Sequence, residues 1–227
     1  MARPGRTNRR AALAAAALIG CAAVVGCGPL KHLPLSTGTP VDCLKVSDDL
    51  EALIEAGTDT PAAREKAYEQ VHQAPCDSTA GLAFGRAAVI GRVVQQKGLL
   101  AANLVRDVEF YARRSRELDP QFRDQAATRM LGTLYVMAPA ALLKHGDSET
   151  GLEMLQTLAR EHPTIPENHL RLAEAFVALG DIASARPEVC QCLTMRNRLR
   201  RDDQNLLNQL FAQLTAGGKG LGCEPPK

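Results

Sequence analysis

Tryptophan is absent from this chain of 227 residues, and its aromatic side chains are limited to five Phe and three Tyr. Surfaces that stack bases or sugars depend on aromatic side chains, so this scarcity argues against such a surface. The five histidines form no His-x-x-Glu-His spacing and no Cys-x-x-Cys…His spacing. The sequence therefore predicts no metal site and no cofactor.

The chain also lacks the patterns that are typical of a catalytic site. The Gly-rich stretch at 217–220 lies in a tail with no helix after it, so it is not predicted to be a phosphate-binding loop. Carboxylates of the helical segments, such as Glu109 and Glu174, show no paired spacing that suggests acid–base catalysis. We therefore expect a protein that is not an enzyme.

A strongly basic region is missing once the first ten residues are set aside. Arg3, Arg6, Arg9 and Arg10 have no acidic residue before Asp42 to balance them. The remaining 27 − 4 = 23 basic residues face 25 acidic ones. This balance lacks the electrostatic footprint of a nucleic-acid-binding protein, so we expect no nucleic-acid partner.

The first ten residues and the apolar run after them resemble a bacterial signal peptide. The run is too short and too rich in Ala for a stable membrane span. Residues 18–21 and 24–27 are both similar to a lipobox, which ends in the Cys that receives lipid. We favour Cys27, because cleavage before Cys21 would leave five small or apolar residues on the exported side. Cys21 is the alternative, and an ordinary signal peptide and either export route stay open.

These features predict four regions. Residues 1–26 are predicted to be a lipoprotein signal peptide, 27–42 a flexible tether, 43–216 a helical domain, and 217–227 a Gly-rich C-terminal tail. The predicted location is the periplasmic face of a bacterial membrane, the outer membrane being favoured over the inner one. The N-terminal lipid is the predicted membrane contact.

Beyond the tether the chain is predicted to be helical, without a convincing β-strand. Cap and breaker residues mark the helix ends, such as Thr60-Pro61 before one helix and Gly98 after another. The predicted helices cover 47–56, 61–74, 79–97, 99–118, 123–137, 148–161, 167–179, 182–198 and 203–216. Pro187 lies inside the eighth helix, which either starts near Ser184 or bends at the proline.

Gly-Asp turns occur at Gly146 and Gly180, which are 180 − 146 = 34 residues apart. That is the period of the tetratricopeptide repeat, or TPR. The residues that match its first-helix element are Leu131, Gly132 and Tyr135, then Leu172, Ala173 and Phe176. Gly151 and Ala185 match the small positions where the two helices of a pair approach each other.

The chain therefore resembles TPR proteins. This resemblance implies an all-α, TPR-like helical-hairpin solenoid of about four helix pairs plus a C-terminal capping helix. The polar face of that last helix, which includes Asp202 and Asp203, is predicted to end the stack. An irregular helical bundle is the alternative fold.

The segment 129–185 resembles in more detail the lipoprotein T component of TRAP transporters, the TatT-like family. The matching features are Leu131-Gly132, an interrupting Pro segment, Gly146-Asp147, and Asn168 followed by Leu172-Ala173-Glu174. The resemblance implies a lipid-anchored periplasmic adaptor that binds a protein partner, such as the substrate-binding component of a TRAP-type transporter. A carrier of a small apolar ligand and a structural lipoprotein in envelope or pilus assembly are the alternatives. The sequence leaves a homo-oligomer open.

In TPR proteins the ligand-facing side chains lie between the packing residues of the first helices. The resemblance therefore places eight residues on the concave, partner-binding face: Arg86, Val89, Arg129, Thr133, Val136, Leu170, Glu174 and Val177. Charge reversal at Arg86 or Arg129 is expected to weaken binding without unfolding the protein.

Export would permit disulfides among the cysteines. Cys43 precedes the first helix and Cys76 follows the second, so the ends of an antiparallel hairpin would bring them together. Cys223 in the tail is predicted to pair with Cys190, because Cys192 is expected to face the first helix of its own repeat; a disulfide of Cys223 between two protomers is the alternative. For Cys192 we favour structural packing, with a disulfide or a metal ligand as the alternatives.

Overall fold

The computed structural model describes residues 40–216 and 220–223. Their regular structure is helical throughout, so the predicted all-α class is confirmed. The α-helices are α1 (Cys43–Ala56), α2 (Pro61–Val71), α3 (Ala80–Lys97), α4 (Val105–Leu118), α5 (Phe122–Met137), α6 (Ser148–Glu161), α7 (Pro166–Ala178), α8 (Ile182–Thr194) and α9 (Arg201–Thr215), with 3₁₀ segments at Gly98–Leu104, Ala140–Leu142 and Arg196–Arg198.

Several of the predicted regions lie outside the described residues. They include the signal peptide at 1–26, both lipidation candidates Cys21 and Cys27, the tether up to residue 39, and parts of the tail at 217–219 and 224–227. Among the helices that are described, none is both long enough and apolar enough to cross a membrane.

Short polar side chains fix the starts of several helices, and the sequence predicts the one at Thr60. The Thr60 hydroxyl accepts a hydrogen bond from a backbone N–H of the first turn of α2, where Pro61 is the first helical residue. Thr79 caps α3 in the same way. Asp147 caps α6, whose range Ser148–Glu161 is the predicted one.

Other helix bounds differ from the prediction. α1 begins earlier, at Cys43, because the Asp42 carboxylate accepts two backbone hydrogen bonds there, and Ser47 is buried inside the helix. The predicted helix at 99–118 is divided into a 3₁₀ segment and α4. In α5, residues 123–125 have φ values of 47°, 52° and 60°, so regular right-handed helix begins only at Ala126.

Pro187 neither delays nor ends α8. The helix begins at Ile182, where the Asp181 carboxylate caps it, and continues through Pro187 to Thr194. The later start at Ser184 is therefore wrong. The cost of the proline is one helical hydrogen bond, because its nitrogen cannot donate to the carbonyl of the residue four positions earlier.

The odd-numbered helices form a closed ring. Helix α1 contacts α3, α3 contacts α5, α5 contacts α7, α7 contacts α9, and α9 returns to α1. Each even-numbered helix packs against the two odd-numbered helices that flank it in the sequence. A second layer of helices therefore surrounds the ring.

Polar contacts join α9 to α1 where the ring closes. Arg92 on α3 donates to both carboxylate oxygens of Glu51 on α1 at 2.6 Å and to Asp202 on α9 at 2.8 Å. Arg200, just before α9, also donates to Glu51 at 2.6 Å. The polar face of α9 was predicted to end the stack of helix pairs. Its Asp202 instead accepts a hydrogen bond from Arg92 of α3.

Small residues set the distance between the two helices of a pair, as the sequence predicts. A Cβ built on Gly151 of α6 would lie 2.7 Å from the Gly132 carbonyl oxygen of α5, so this approach requires glycine. Ala185 of α8 is completely buried in the cluster that also contains Ala173 and Leu207. The core therefore lies between the ring and the outer layer.

Both predicted disulfides are present. The Cα atoms of Cys43 and Cys76 are 6.2 Å apart, and those of Cys190 and Cys223 are 5.5 Å apart. Cys192 is free and buried, and its thiol donates to a backbone carbonyl of α7 at 3.4 Å. Burial raises the pKa of this thiol, so Cys192 is a packing residue, as predicted.

Both disulfides have the same sequence separation, 33 residues. In the chain-entropy model, a closed loop of this length stabilises the fold by about 3–4 kcal/mol. We expect the double change Cys43→Ser and Cys76→Ser, or Cys190→Ser and Cys223→Ser, to lower the free energy of unfolding by about that amount. Urea denaturation of both variants beside the oxidised parent tests this. Variants as stable as the parent would contradict it.

The ion pairs of Arg92, which join α9 to α1, are expected to contribute more stability than the exposed ion pair between Arg123 and Asp48. The Arg92 side chain is 13% exposed, whereas Arg123 and its partner Asp48 are 42% and 46% exposed. Arg92→Gln should lower the free energy of unfolding by about 2 kcal/mol, since it leaves Glu51 and Asp202 without a partially buried partner. The control Arg123→Gln should cost less than about 1 kcal/mol. Equal losses in urea denaturation would argue against a special role for Arg92.

Candidate functional site

A cavity of about 740 Å³ is lined by all five odd-numbered helices. The 3₁₀ segment before α4, the start of α4 and the segment that follows α5 complete its wall. Pockets for drug-sized ligands are commonly about 300–1,000 Å³, so this cavity has the size of a small-molecule site. It is the candidate functional site of the molecule.

One part of the cavity wall is apolar. Helices α3, α4 and α5 line it with Phe84, Ala88, Val94, Val105, Val108, Met130, Leu134 and Met137. Gly91 of α3 lies among these residues, and a Cβ built on it would meet nothing within 4 Å. Leu99 and Met137, which are 80% and 49% exposed, lie where this wall meets solvent. The apolar wall is therefore open at one rim.

The other part of the wall is charged. Five arginines and five carboxylates line it: Arg92, Arg123, Arg129, Arg171, Arg200, Asp48, Glu51, Glu167, Glu174 and Asp203. Most of them pair with each other across helices. Arg171 of α7 donates to Glu174 at 2.9 Å and also to Asp203 of α9. The charges therefore compensate, and the wall holds the helices together as well as facing the cavity.

Two neighbouring acids of α9 have pKa values shifted in opposite directions. Burial raises the pKa of Asp203 by more than the Arg171 guanidinium lowers it. Burial also acts on Asp202, but the charge and hydrogen bond of Arg92 outweigh it, and the pKa of Asp202 lies below its usual range. The Asp202 contribution to ring closure is thus fully present above the ordinary carboxylate pKa and is lost only as the pH falls below it.

Three of the eight residues predicted for the partner-binding face line the cavity. They are Arg129 and Thr133 of α5 and Glu174 of α7. Val136 and Val177 are partly buried and pack against the core cluster of the C-terminal half. The odd-numbered helices do line the cavity, but fewer of these residues reach it than the sequence predicts.

Val89 and Leu170 are completely buried, which corrects their predicted position on the partner-facing side. Val89 belongs to the cluster of Leu50 and Val71, and Leu170 to the cluster that contains Leu207. Both side chains lie on helix faces that pack against neighbouring helices, so a partner cannot reach them in the folded protein.

Important cavity residues were missed at the sequence level. Glu51 and Arg92 are 41 residues apart, and Glu51 and Arg200 are 149 residues apart, so no local pattern joins them. Gly91 did carry a signal, because a glycine inside a helix costs about 1 kcal/mol relative to Ala. In this ring its role is to leave space in the cavity.

Arg86 was also predicted to face a partner, and the structure corrects this. Its guanidinium donates to the backbone carbonyls of His72 and Ala74 and lies 4.2 Å from the centroid of the Tyr111 ring. Arg86 therefore ties the end of α2 to α4. Its charge reversal would leave these carbonyls without their donor and remove the cation–π contact.

We therefore expect Arg86→Glu to lower the free energy of unfolding by at least about 2 kcal/mol, in contrast to the sequence-based expectation of no unfolding. The matched control is Arg106→Glu on α4, where the side chain is exposed and the loss should stay below about 0.5 kcal/mol. Thermal and urea denaturation followed by circular dichroism measure both. Similar stability of the two variants would contradict the structural role of Arg86.

Among the described residues, no group of three or more His, Cys, Asp and Glu side chains is arranged to hold a metal ion. Comparison with models of known protein families gives no match for this chain, and comparison with curated proteins gives none either.

Proposed function

We propose that this chain is a non-enzymatic binding protein that carries a small, mainly apolar ligand inside its ring of helices. The observation that carries the proposal is the cavity of about 740 Å³ with an apolar wall along α3, α4 and α5. Burial of apolar ligand surface there would contribute roughly 25 cal/mol per Å². A stable interface with a folded protein needs about 800 Å² per partner, which suits a broad outer surface better than this cavity.

The proposed architecture is a TPR-like solenoid whose last helix returns to the first. The 34-residue interval between Gly146 and Gly180 supports it. So do the small contacts at Gly151 and Ala185 and the position of the odd-numbered helices around the cavity. In this arrangement the concave surface of the repeats becomes the inner wall of the binding site.

We also propose that the protein is exported and held at the periplasmic face of a bacterial membrane by lipid on Cys27 or Cys21. The two disulfides support export, because such bonds persist mainly in oxidising compartments. A tethered carrier would collect or deliver its ligand close to the membrane, where apolar molecules partition.

A protein adaptor is the second candidate function, and the apolar rim favours it. Leu99 and Leu100 are 80% and 89% exposed, and Leu99 also lines the cavity. Adjacent exposed leucines are a feature of interaction sites. A partner that docks on this rim, such as the substrate-binding component of a TRAP-type transporter, would face the open part of the cavity. Carrier and adaptor would then be two aspects of one binding protein.

Gly91 offers a direct test of the carrier function. Gly91→Leu should fill part of the cavity, since this residue lines it and a Cβ at this position meets no atom within 4 Å. We expect the variant to fold and to bind the uncharged apolar fluorophore N-phenylnaphthylamine at least about tenfold more weakly than the parent. Fluorescence titration of the purified protein measures this.

The matched control is Gly91→Ala. It adds one methyl group, so fluorophore binding should stay near the parent value, while the helix gains about 0.5–1 kcal/mol of stability. A parent that does not bind the fluorophore, or a Gly91→Leu variant that binds it as tightly as the parent, would contradict the proposed cavity function.

A further inference from the structure

Arg129 differs from the other arginines that line the cavity. Arg92, Arg123, Arg171 and Arg200 each form an ion pair with a carboxylate. Within residues 40–216 and 220–223, Arg129 forms none, and its hydrogen-bond partners are neutral oxygens. It is therefore the lining cation whose charge is least compensated by direct contacts.

The hydrogen bonds of Arg129 involve only one of its three nitrogens. Nη1 donates to the Asp124 carbonyl at 3.1 Å and to Oδ1 of Asn168 at 2.8 Å. Guanidinium Nη1 carries two protons, so both are used. Nε and Nη2 form the remaining edge, and no hydrogen bond joins them to a described residue. This edge is the fork that matches the two oxygens of a carboxylate.

Asn168 holds the guanidinium in this orientation. Asn168 is completely buried, and its side-chain amide donates to the backbone carbonyls of Leu158 and His162 at 3.2 and 3.3 Å. With both donors occupied, its oxygen is directed at Arg129. A buried polar side chain on α7 therefore positions an arginine on α5, which is the kind of support that a binding residue requires.

The surroundings of Arg129 combine an acidic side and an apolar side. Glu167 and Asp203 line the same cavity. Burial lowers the pKa of Arg129, and the charge of Glu167 raises it in part. In the opposite direction along α5, Met130, Leu134 and Met137 continue the lining. From Arg129 to Met137 the helix rises about 12 Å, at 1.5 Å per residue.

From this arrangement we propose that the cavity takes a single-chain amphiphile with one carboxylate, such as a medium-chain fatty acid. The carboxylate binds the Nε and Nη2 edge of Arg129, and the alkyl chain lies along α5 past Met130 and Leu134 towards the open rim. The nearby Glu167 disfavours a second negative charge, so a monoanion fits better than a dianion. This inference rests on the proposed carrier function and specifies its ligand class.

Decanoate and decanol test the inference, because their chains have the same length and only decanoate is charged. Each is titrated against N-phenylnaphthylamine bound to the purified protein. In Arg129→Gln we expect decanoate to bind about 10- to 100-fold more weakly, the loss of a charge-assisted bidentate contact. Decanol should change by less than about threefold, which also shows that the cavity of the variant is intact.

Two further variants sharpen the result. Arg129→Lys keeps the charge without the fork, so it should recover only part of the decanoate affinity and leave decanol unchanged. Glu167→Gln removes the nearby negative charge and should tighten decanoate by a few-fold, again without an effect on decanol. If Arg129→Gln misfolded and lost both ligands, Arg129→Lys would provide the test instead. A lower ratio of decanoate affinity to decanol affinity in that variant than in the parent would support the carboxylate site.

If the Arg129 variants lost affinity for decanoate and decanol equally, the assignment of the carboxylate site would be overturned. The proposed carrier function would still stand in that case, provided that the parent binds N-phenylnaphthylamine. Decanoate binding that is indifferent to Arg129→Gln would overturn it as well. If the parent does not bind N-phenylnaphthylamine, the proposed function itself fails, and this inference fails with it.

Discussion

The closed ring depends on Arg92, the side chain through which three helices of the ring meet. From α3 it donates to Glu51 on α1 and to Asp202 on α9, and Glu51 accepts a further hydrogen bond from Arg200. Ion pairs that are largely removed from water add little net stability, but a charge left there without a partner is costly. The network therefore acts mainly by selecting the closed arrangement, because an opened ring would separate these groups.

The closed ring surrounds a cavity that has two walls of different chemistry. The charged wall arises because the ring is held by ion pairs between helices, and those pairs face the cavity that they enclose. Space remains beside the apolar wall because small residues, such as Gly91 and Ala88, lie at positions where larger side chains would fill the cavity. The closed ring thus produces both the space for a ligand and the contrast between a charged and an apolar wall that would orient it.

Local features of this fold were predictable from the sequence, and features of ring closure were not. Thr60 caps α2 as expected, and the helix starts near Thr79 and at Ser148 were also located, because a helix start is determined by residues within one turn of it. The cysteine pairs followed from hairpin geometry. Val89 and Leu170 were misplaced, because which side of a helix packs against a neighbour depends on tertiary contacts. Helix α1 and the start of α9 meet through residues up to 149 positions apart, for which a single sequence gives no pattern.

The positions of the disulfides complement this mode of closure. The contact between α1 and α9 is made by polar groups, and Arg200 is 49% exposed, so each exposed pair contributes at most about 1 kcal/mol. Such a contact is strengthened when other bonds also hold the two helices in place. Cys43–Cys76 fixes the start of α1 to the loop that leads into α3, and Cys190–Cys223 fixes the chain beyond α9 to α8. The covalent bonds therefore secure the two partners of the closure separately, and the closing contact itself stays non-covalent.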